Sequence, residues 1–527
     1  MQYGCIINNW QLWIEYTGIQ NFGEIRKGGY VYVDKTALLY KLVKTGKYYF
    51  FGRPRRFGKS LMISTLEAYF EGQKELFKGL AMEKLEKDWT VSPVLHLDLN
   101  NQEYNSRENL EIILNNYLTR WERIYGNDPS EKSLSLRFAG IIRRASEKTG
   151  QNVAILIDEY DKPLIQSLDN EDLQAEYRSI LKAFYGNLKS CDKYIRFAIL
   201  TGVTRFSRIS IFSDLNNLND ITMDPEYATL CGISETELTT NFASDINRLA
   251  AKQKISYCQA CELLKKKYDG YHFVQDTEGL YNPFSLLNTF FRMMPENYWF
   301  STGTPSFLVK LLQKNNYLLS ELTDKTEATA DELTGLENLD NNPIPLFFQS
   351  GYLTIKGYDP EFKNYLLGFP NEEVEQSFMS YLMPAYMNLN GRNTSFHILN
   401  FIKEIRLGMI DAFMNRLQTF FADTPYELIR NNELHYQNVL FIIFKLIGFY
   451  TEAEYHTSQG RIDMIVKTPN YIYILEFKFE GSAEEALAQI DANNYAVPFS
   501  TDDRTLFKIG INFSRKTRNI EKWIVAR

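Results

Sequence analysis

The chain has 527 residues, which at roughly 100–200 residues per domain suggests three or four domains. A hydrophobic fraction of 44% and a charged fraction of 23% exclude a chain that is disordered throughout. The formal net charge of −7 excludes a basic footprint over the whole protein, although a local basic patch would still serve nucleic acid. The greasiest stretch, Val439–Tyr450, is interrupted by Lys445 and falls short of the ~20 residues that a membrane-spanning helix needs. Met1–Tyr16 lacks the pattern of a secretion signal, and five cysteines do not make a disulfide framework. The expectation is a cytoplasmic protein in a reducing compartment.

In chain order, Tyr48–Gly52 reads as a short strand and Ser60–Phe70 as a helix. Val94–Asp98, Val153–Ile157 and Arg196–Thr201 read as further strands, the last two apolar enough to be buried on both faces. Strands alternating with helical patterns predict a parallel sheet covered by helices. Residues after about Glu226 read as a helical lid. Glu321–Asn342 holds seven acids against one base, Lys325, and ends near Pro343 and Pro345, the pattern of an exposed seam. Beyond it, Leu346–Tyr358 and Asn364–Phe369 read as strands with turns, and Glu372–Phe421 as mostly helical. The last hundred residues read as helix Asn432–Ile447, strands Ile462–Val466 and Tyr471–Phe479, helix Ser482–Tyr495 and a strand near Leu506–Ile511.

Two constellations carry chemistry. The run Arg53-Pro54-Arg55-Arg56-Phe57-Gly58-Lys59-Ser60 follows a strand and opens a helix. In a phosphate-binding loop, backbone N–H groups wrap the phosphates, the lysine reaches the outer ones and the hydroxyl ligates Mg²⁺. The first glycine of that pattern falls on Arg53, and Gly52 lies one residue early. For Gly58-Lys59-Ser60 alone, a basic turn capped by a helix is the competing reading. Asp158-Glu159 ends an apolar strand, where one acid would serve Mg²⁺ and the other would polarise the attacking water. Thr201 ends the next strand and could sense the terminal phosphate. Arg205 follows it and could stabilise transition-state charge, the alternative being an ordinary strand exit.

The second constellation is C-terminal. Asp463 begins a strand, and Glu476 and Lys478 share one face of the next. A hairpin would bring the two acids together around Mg²⁺ or Mn²⁺, with Lys478 acting on a water or a phosphate. Glu433, in the first turn of the preceding helix, is a candidate third ligand, and Gln489 a candidate for positioning substrate. A Glu–Lys ladder on an edge strand is the competing reading. Arg504–Arg527 carries seven basic residues against one acid, a candidate patch for a nucleic-acid backbone.

The run Gly18–Arg26, Tyr32–Thr36, Arg53–Ser60, Leu156–Pro163, Tyr268–Tyr271, Gly460–Asp463 and Glu476–Lys478 resembles the bacterial AAA-ATPase-like proteins that carry a C-terminal PD-(D/E)XK nuclease domain. The resemblance spans nearly the whole chain from Gly18. It implies an α/β fold: a P-loop ATPase parallel sheet over 18–225, a helical lid over 226–320, the acidic seam over 321–342, a strand-plus-helical middle over 343–425 and a restriction-endonuclease-like domain over 426–527. Residues 1–17 lie upstream as an extension. It implies that Arg53–Ser60 and Asp158 bind ATP and Mg²⁺, that Glu159 serves hydrolysis, and that Asp463, Glu476 and Lys478 form a nuclease core. The expected partners are ATP, nucleic acid with DNA ahead of RNA, no membrane, and further copies of the chain in a homo-oligomer. The alternative expectation is a nucleotide-regulated binding module with one site inactive.

Overall fold

The computed structural model describes residues 18–101, 103–205, 217–300, 306–323, 326–335, 342–387, 394–422, 432–448, 452–458, 461–479, 481–514, 516–517 and 519–527. The chain divides into two units. The first comprises Met1–Thr302 and Thr326–Glu372, the second Gly303–Lys325 and Glu373–Arg527.

The first unit is built on a five-stranded parallel sheet of β1 (Tyr48–Gly52), β2 (Val94–Asp98), β3 (Val153–Asp158), β4 (Ile195–Gly202) and β5 (Asn219–Asp220), in the order β2-β3-β4-β1-β5. Every residue of β1 and β3 is buried, because helices cover both faces of such a sheet and leave no polar side. The insertion of β4 between β1 and β3 sets three strand ends side by side. Those ends are Gly52, Gly202 and Asp158, and each leads into a segment that the sequence marks as functional.

The lid contains the helices Glu235–Gln253 and Tyr257–Tyr268, each opened by a reciprocal capping box, Ser234 with Glu237 and Ser256 with Gln259. Asn282 caps the following helix, Pro283–Arg292, with proline in its first turn. Just before the first and the third of these helices, β6 (Ile233–Ser234) and β7 (Leu280–Tyr281) pair antiparallel.

The acidic seam is not an open connection along its described length. Part of it is β8 (Thr326–Thr329), which pairs antiparallel with β10 (Asn364–Gly368), itself paired with β9 (Thr354–Asp359). Glu332 is taken up by a capping box with Thr329, so an acid read as charge excess works as a helix start. The expected strand over Leu346–Tyr358 is corrected as well. Ile344–Gln349 is a helix, wholly buried, and only Thr354 onward is strand. A fully apolar helix has no amphipathic period to distinguish it from a buried strand.

Near the edge of this unit, Glu86 is buried and accepts hydrogen bonds from Tyr69 Oη at 2.5 Å and from the amides of Lys87 and Asp88, with Lys44 Nζ 2.9 Å away. Burial pushes its pKa up, but the bonds from Tyr69, Asp88 and Lys44 outweigh it and hold the group at about 2, below its ordinary 4.5. A carboxyl with a depressed folded-state pKa stabilises above its unfolded value, and that stability is lost as pH falls through the folded value. Glu86→Gln should therefore destabilise the chain at pH 7 by about 2 kcal/mol, with the gap closing between about pH 4.5 and pH 2. Denaturant titrations of both proteins across that range check it. A gap that stays constant would remove Glu86 as an acid-sensitive tie.

The second unit carries a mixed sheet of β11 (Glu452–Ser458), β12 (Arg461–Lys467), β13 (Tyr471–Lys478), β14 (Thr505–Ser514) and β15 (Asn519–Ala526), in that order. Only β13 and β14 run parallel, and the helix Ala483–Ala492 makes the crossover between them. Its approach requires Gly510, where a Cβ would lie 2.2 Å from the carbonyl oxygen of Ala483 and 2.6 Å from the amide nitrogen of Leu487. Gly510→Ala should cost about 1–3 kcal/mol by forcing this helix off the sheet. Thermal unfolding checks it, and an unchanged Tm would show that the helix yields freely.

Candidate nucleotide and nuclease sites

Arg53–Ser60 leaves β1 as a loop. Arg56, at φ 66°, and Gly58, at φ 99°, lie in the left-handed region, and such a mix of conformations makes successive N–H groups converge. The backbone N–H groups of Arg55 to Ser60 find no acceptor among the described residues. Orphaned donors at a helix start are the electrostatic requirement for phosphate. Lys59 is buried, its Nζ 3.0 Å from the carbonyl of Arg53, 3.3 Å from that of Pro54 and 3.4 Å from Glu159 Oε1.

Beneath the loop, the strand ends meet. Ser60 Oγ donates to Asp158 Oδ2 at 2.6 Å, and Thr201 Oγ1 donates to Asp158 Oδ1 at 2.5 Å. A carboxylate held between two hydroxyls is a set of hard oxygen donors, as Mg²⁺ prefers. That ion commonly takes only one or two protein carboxylates and completes its shell with water and phosphate. The residues therefore fit the metal. Asp98, at the end of β2, is in register with Asp158. Burial, then the charges of Asp158 and Glu159, raises its pKa.

A cleft of about 410 Å³ opens over the loop. Its lining combines the polar groups of Arg55, Lys59, Ser60, Glu159 and Lys162 with the apolar Ile19, Pro283, Phe284 and Leu287. The polar part suits a polyphosphate and the apolar part a flat ring.

The structure corrects four of the expected contacts. Arg53, Pro54 and Phe57 do not line the cleft. The Arg53 guanidinium runs inward, sandwiched between the rings of Phe51 and Phe273 at 4.4 and 4.3 Å. It donates to the carbonyls of Gly52, Thr222 and Ala228. Burial lowers its pKa to about 10, so it remains a cation at neutral pH. This explains the missing glycine: Arg53 braces the loop from behind. Pro54 faces Gly351, where a Cβ would come within 2.6 Å of the proline ring. Phe57 packs edge-on against Tyr271 and Phe273. Arg205 is turned to Asp220 in a 2.6 Å ion pair, and its amide donates to Gln349 Oε1.

Sequence reasoning missed Asp161. It is fully buried, and its Oδ2 accepts from the amides of Val203 and Thr204 and from Thr204 Oγ1. Burial and then the charge of Glu159 push its pKa up to about 6. It ties the turn after β3 to the turn after β4, and Gly202 makes room for it, since a Cβ there would lie 2.4 Å from Asp161 Oδ1. The run Leu156–Pro163 contains it, but nothing in spacing distinguishes a buried acid from a solvated one. Trp299 was also missed as a neighbour of the loop. Its indole N–H donates to the carbonyl of Arg55 at 3.0 Å.

In the second unit, β12 and β13 pair so that Asp463 lies directly across from Glu476, and β14 sets Gly510 on the other side of Glu476. Glu476 is completely buried, and Lys478 is half-buried two residues on. A buried carboxylate needs a hydrogen bond, cation or metal to share its charge. The backbone of His456 pairs with that of Asp463. Gln489 is half-buried on the crossover helix, beside its buried Ile490. Glu433 lies in the first turn of Asn432–Gly448. The side chains of Glu433 and Asp463 are outside the described set.

The expected basic stretch is corrected. It forms much of β14 and β15, and three of its seven cations are matched by acids. Arg504 pairs with Asp502, Lys508 with Asp491 and Lys522 with Glu484. Arg527 lies over the ring of Phe507. Arg515 and Arg518 lie outside the described residues.

A family model described as predicted AAA-ATPase matches residues 16–212, and one described as PD-(D/E)XK nuclease superfamily matches residues 431–523. The chain belongs to the AAA-ATPase-like proteins with a C-terminal PD-(D/E)XK nuclease domain. It is similar to an uncharacterized protein in the vnfD 5′ region of Azotobacter chroococcum mcd 1, 34% identical over 529 residues that cover 96% of this chain and 98% of the relative. No solved structure matches it. No helix among the described residues is long and apolar enough to cross a membrane.

Proposed function

We propose that the chain binds and hydrolyses ATP in the first unit and cleaves phosphodiester bonds of nucleic acid, DNA ahead of RNA, in the second. The observation that carries the proposal is the run of unaccepted N–H groups from Arg55 to Ser60 above the Ser60–Asp158–Thr201 set. The loop amides and Lys59 bind the phosphates. Ser60 and Asp158 would hold Mg²⁺, which supplies charge neutralisation of the outer phosphates when bound. Glu159 orients the attacking water and receives its proton. Thr201 holds Asp158 in place, and Asp161 fixes the turn that follows Thr201.

For the second unit, the register of Asp463 with Glu476 and the nearness of Lys478 support a two-acid, one-lysine centre. A metal there would polarise a phosphate and lower the pKa of a water. Glu433 and Gln489 are assigned as assisting acid and substrate-positioning amide. The ion-paired basic strands favour a second reading, in which this unit binds partners without cutting them.

The test is degradation of linear and circular DNA and of RNA by the full chain with Mg²⁺ or Mn²⁺, with and without ATP, alongside ATP binding and hydrolysis. Metal-dependent degradation is expected. ATP binding without any cleavage would favour the second reading, and absence of ATP binding would reject the nucleotide site.

A further inference from the structure

Four arginines lie in or near the phosphate loop, and three have a structural partner. Arg53 is held by carbonyls behind the loop. Arg205 is held by Asp220. Arg56 lies over the ring of Phe284, an apolar residue of the cleft lining, 5.0 Å from its centroid. Arg55 differs. It is exposed, it lines the cleft with Lys59, Glu159 and Lys162, and its guanidinium has no hydrogen bond or ion pair among the described residues. Its backbone is fixed nonetheless, because Trp299 donates to its carbonyl. The side chain is thus anchored at its root and unpartnered at its tip.

The location of that tip is informative. Lys162 has a lowered pKa, caused by burial and further by the positive charge of Arg55, while Glu159 opposes the shift. Arg55 lines the cleft together with Lys59, Glu159 and Lys162. These are the groups among which Lys59 and a water-polarising acid would meet the outermost phosphate. Lys162 is itself tied to Asn100, donating to its carbonyl and to its side-chain oxygen, whereas the Arg55 guanidinium has no such tie among the described residues.

We propose that Arg55 is a catalytic residue: an arginine supplied in cis, from within the phosphate loop, that stabilises charge on the terminal phosphate during ATP hydrolysis, in place of Arg205. This rests on reading the cleft as the ATP site. In the reaction, a bond forms between the water oxygen and the γ-phosphorus. The bond from that phosphorus to the β–γ bridging oxygen breaks, its electron pair leaving with ADP. The proton of the water passes to Glu159. Arg55 makes and breaks no covalent bond. Its planar fork donates to the oxygens on which negative charge grows.

The experiment compares Arg55→Ala, Arg55→Lys and Arg205→Ala with wild type in the full chain. It measures ATP affinity, single-turnover hydrolysis, and binding of ADP with aluminium fluoride as a mimic of the transferring phosphoryl group. Arg55→Ala should leave the Kd for ATP within about fivefold and lower hydrolysis by about 10³. It should also abolish the added affinity for the fluoride complex, a readout independent of turnover. Arg55→Lys should recover only a minor part, because the ammonium lacks the fork. Mixing Arg55→Ala with Glu159→Gln chains should restore nothing.

The proposal is overturned if Arg55→Ala hydrolyses ATP at the wild-type rate, or if Arg205→Ala alone shows the loss. Restored activity in the mixture would place the arginine in trans and also overturn it. So would wild type that binds ATP but does not hydrolyse it, since an arginine carried in cis predicts turnover by the chain alone. Wild type that binds no ATP would instead reject the nucleotide site itself.

Discussion

Glu476→Gln is expected to abolish metal-dependent cleavage of nucleic acid while leaving ATP affinity unchanged. Glu476 is at the centre of the C-terminal sheet, completely buried, with Asp463 directly opposite on β12. Replacing its carboxylate by an amide keeps the shape, turns one acceptor oxygen into a donor and removes the negative charge that a divalent metal needs. Loss of a metal that generates the nucleophile removes most of the rate enhancement, so a fall of about 10³ or more is anticipated. Asp463→Asn should behave alike. Lys478→Ala should slow cleavage and retain more metal affinity, because a cation is no ligand. The check is cleavage of a labelled duplex together with Mn²⁺ titration of the protein. Full cleavage by Glu476→Gln would eliminate the two-acid centre.

The second large effect is at the nucleotide site. Lys59→Ala should weaken ATP by about 1.5–3 kcal/mol, the worth of a charged hydrogen bond, or roughly 10–100-fold in Kd. Glu159→Gln should leave affinity near wild type and lose hydrolysis. The two variants fail differently because Lys59 would contact the phosphates in the ground state, while Glu159 would act only on the water. In the structure Lys59 is poised between the Arg53 and Pro54 carbonyls and Glu159. Removing it also removes a cation facing Glu159 and Asp161. Isothermal titration with ATP and a phosphate-release assay separate the outcomes. Unchanged affinity in Lys59→Ala would move the phosphates out of this loop.

Much of the first unit was legible because its signals are local. Val153–Ile157 is apolar at every position, and a strand buried on both faces demands that. Gly58-Lys59-Ser60 after a strand predicts a loop and a helix start, and the helix begins at Lys59. In the second unit the strand containing Glu476 was read to within one residue of its observed end, Lys478. The strands Glu452–Ser458 and Asn519–Ala526 went unread. Both are sheet edges, and charged residues interrupt the alternation of each. Ile344–Gln349 misled for the opposite reason: burial on all sides erases helical periodicity.

Residue types and their spacing were enough to nominate Lys59, Ser60, Asp158, Glu159, Asp463, Glu476 and Lys478 as candidates, because a glycine–lysine–serine run, an acid pair ending an apolar strand and an alternating Glu–Lys pair are local patterns. Only the tertiary structure decided where the arginines point. Arg53 and Arg55 are two residues apart in one basic run, yet one is buried between Phe51 and Phe273 and the other lines the cleft. Arg205, a candidate in sequence for stabilising transition-state charge, is held by Asp220 on the far edge of the sheet. A long cationic side chain can reach about 6–7 Å in many directions, and its direction is set by which carbonyls, rings and carboxylates other strands bring near. Those partners are distant along the chain, Ala228 lying 175 residues from Arg53, so no local pattern records them.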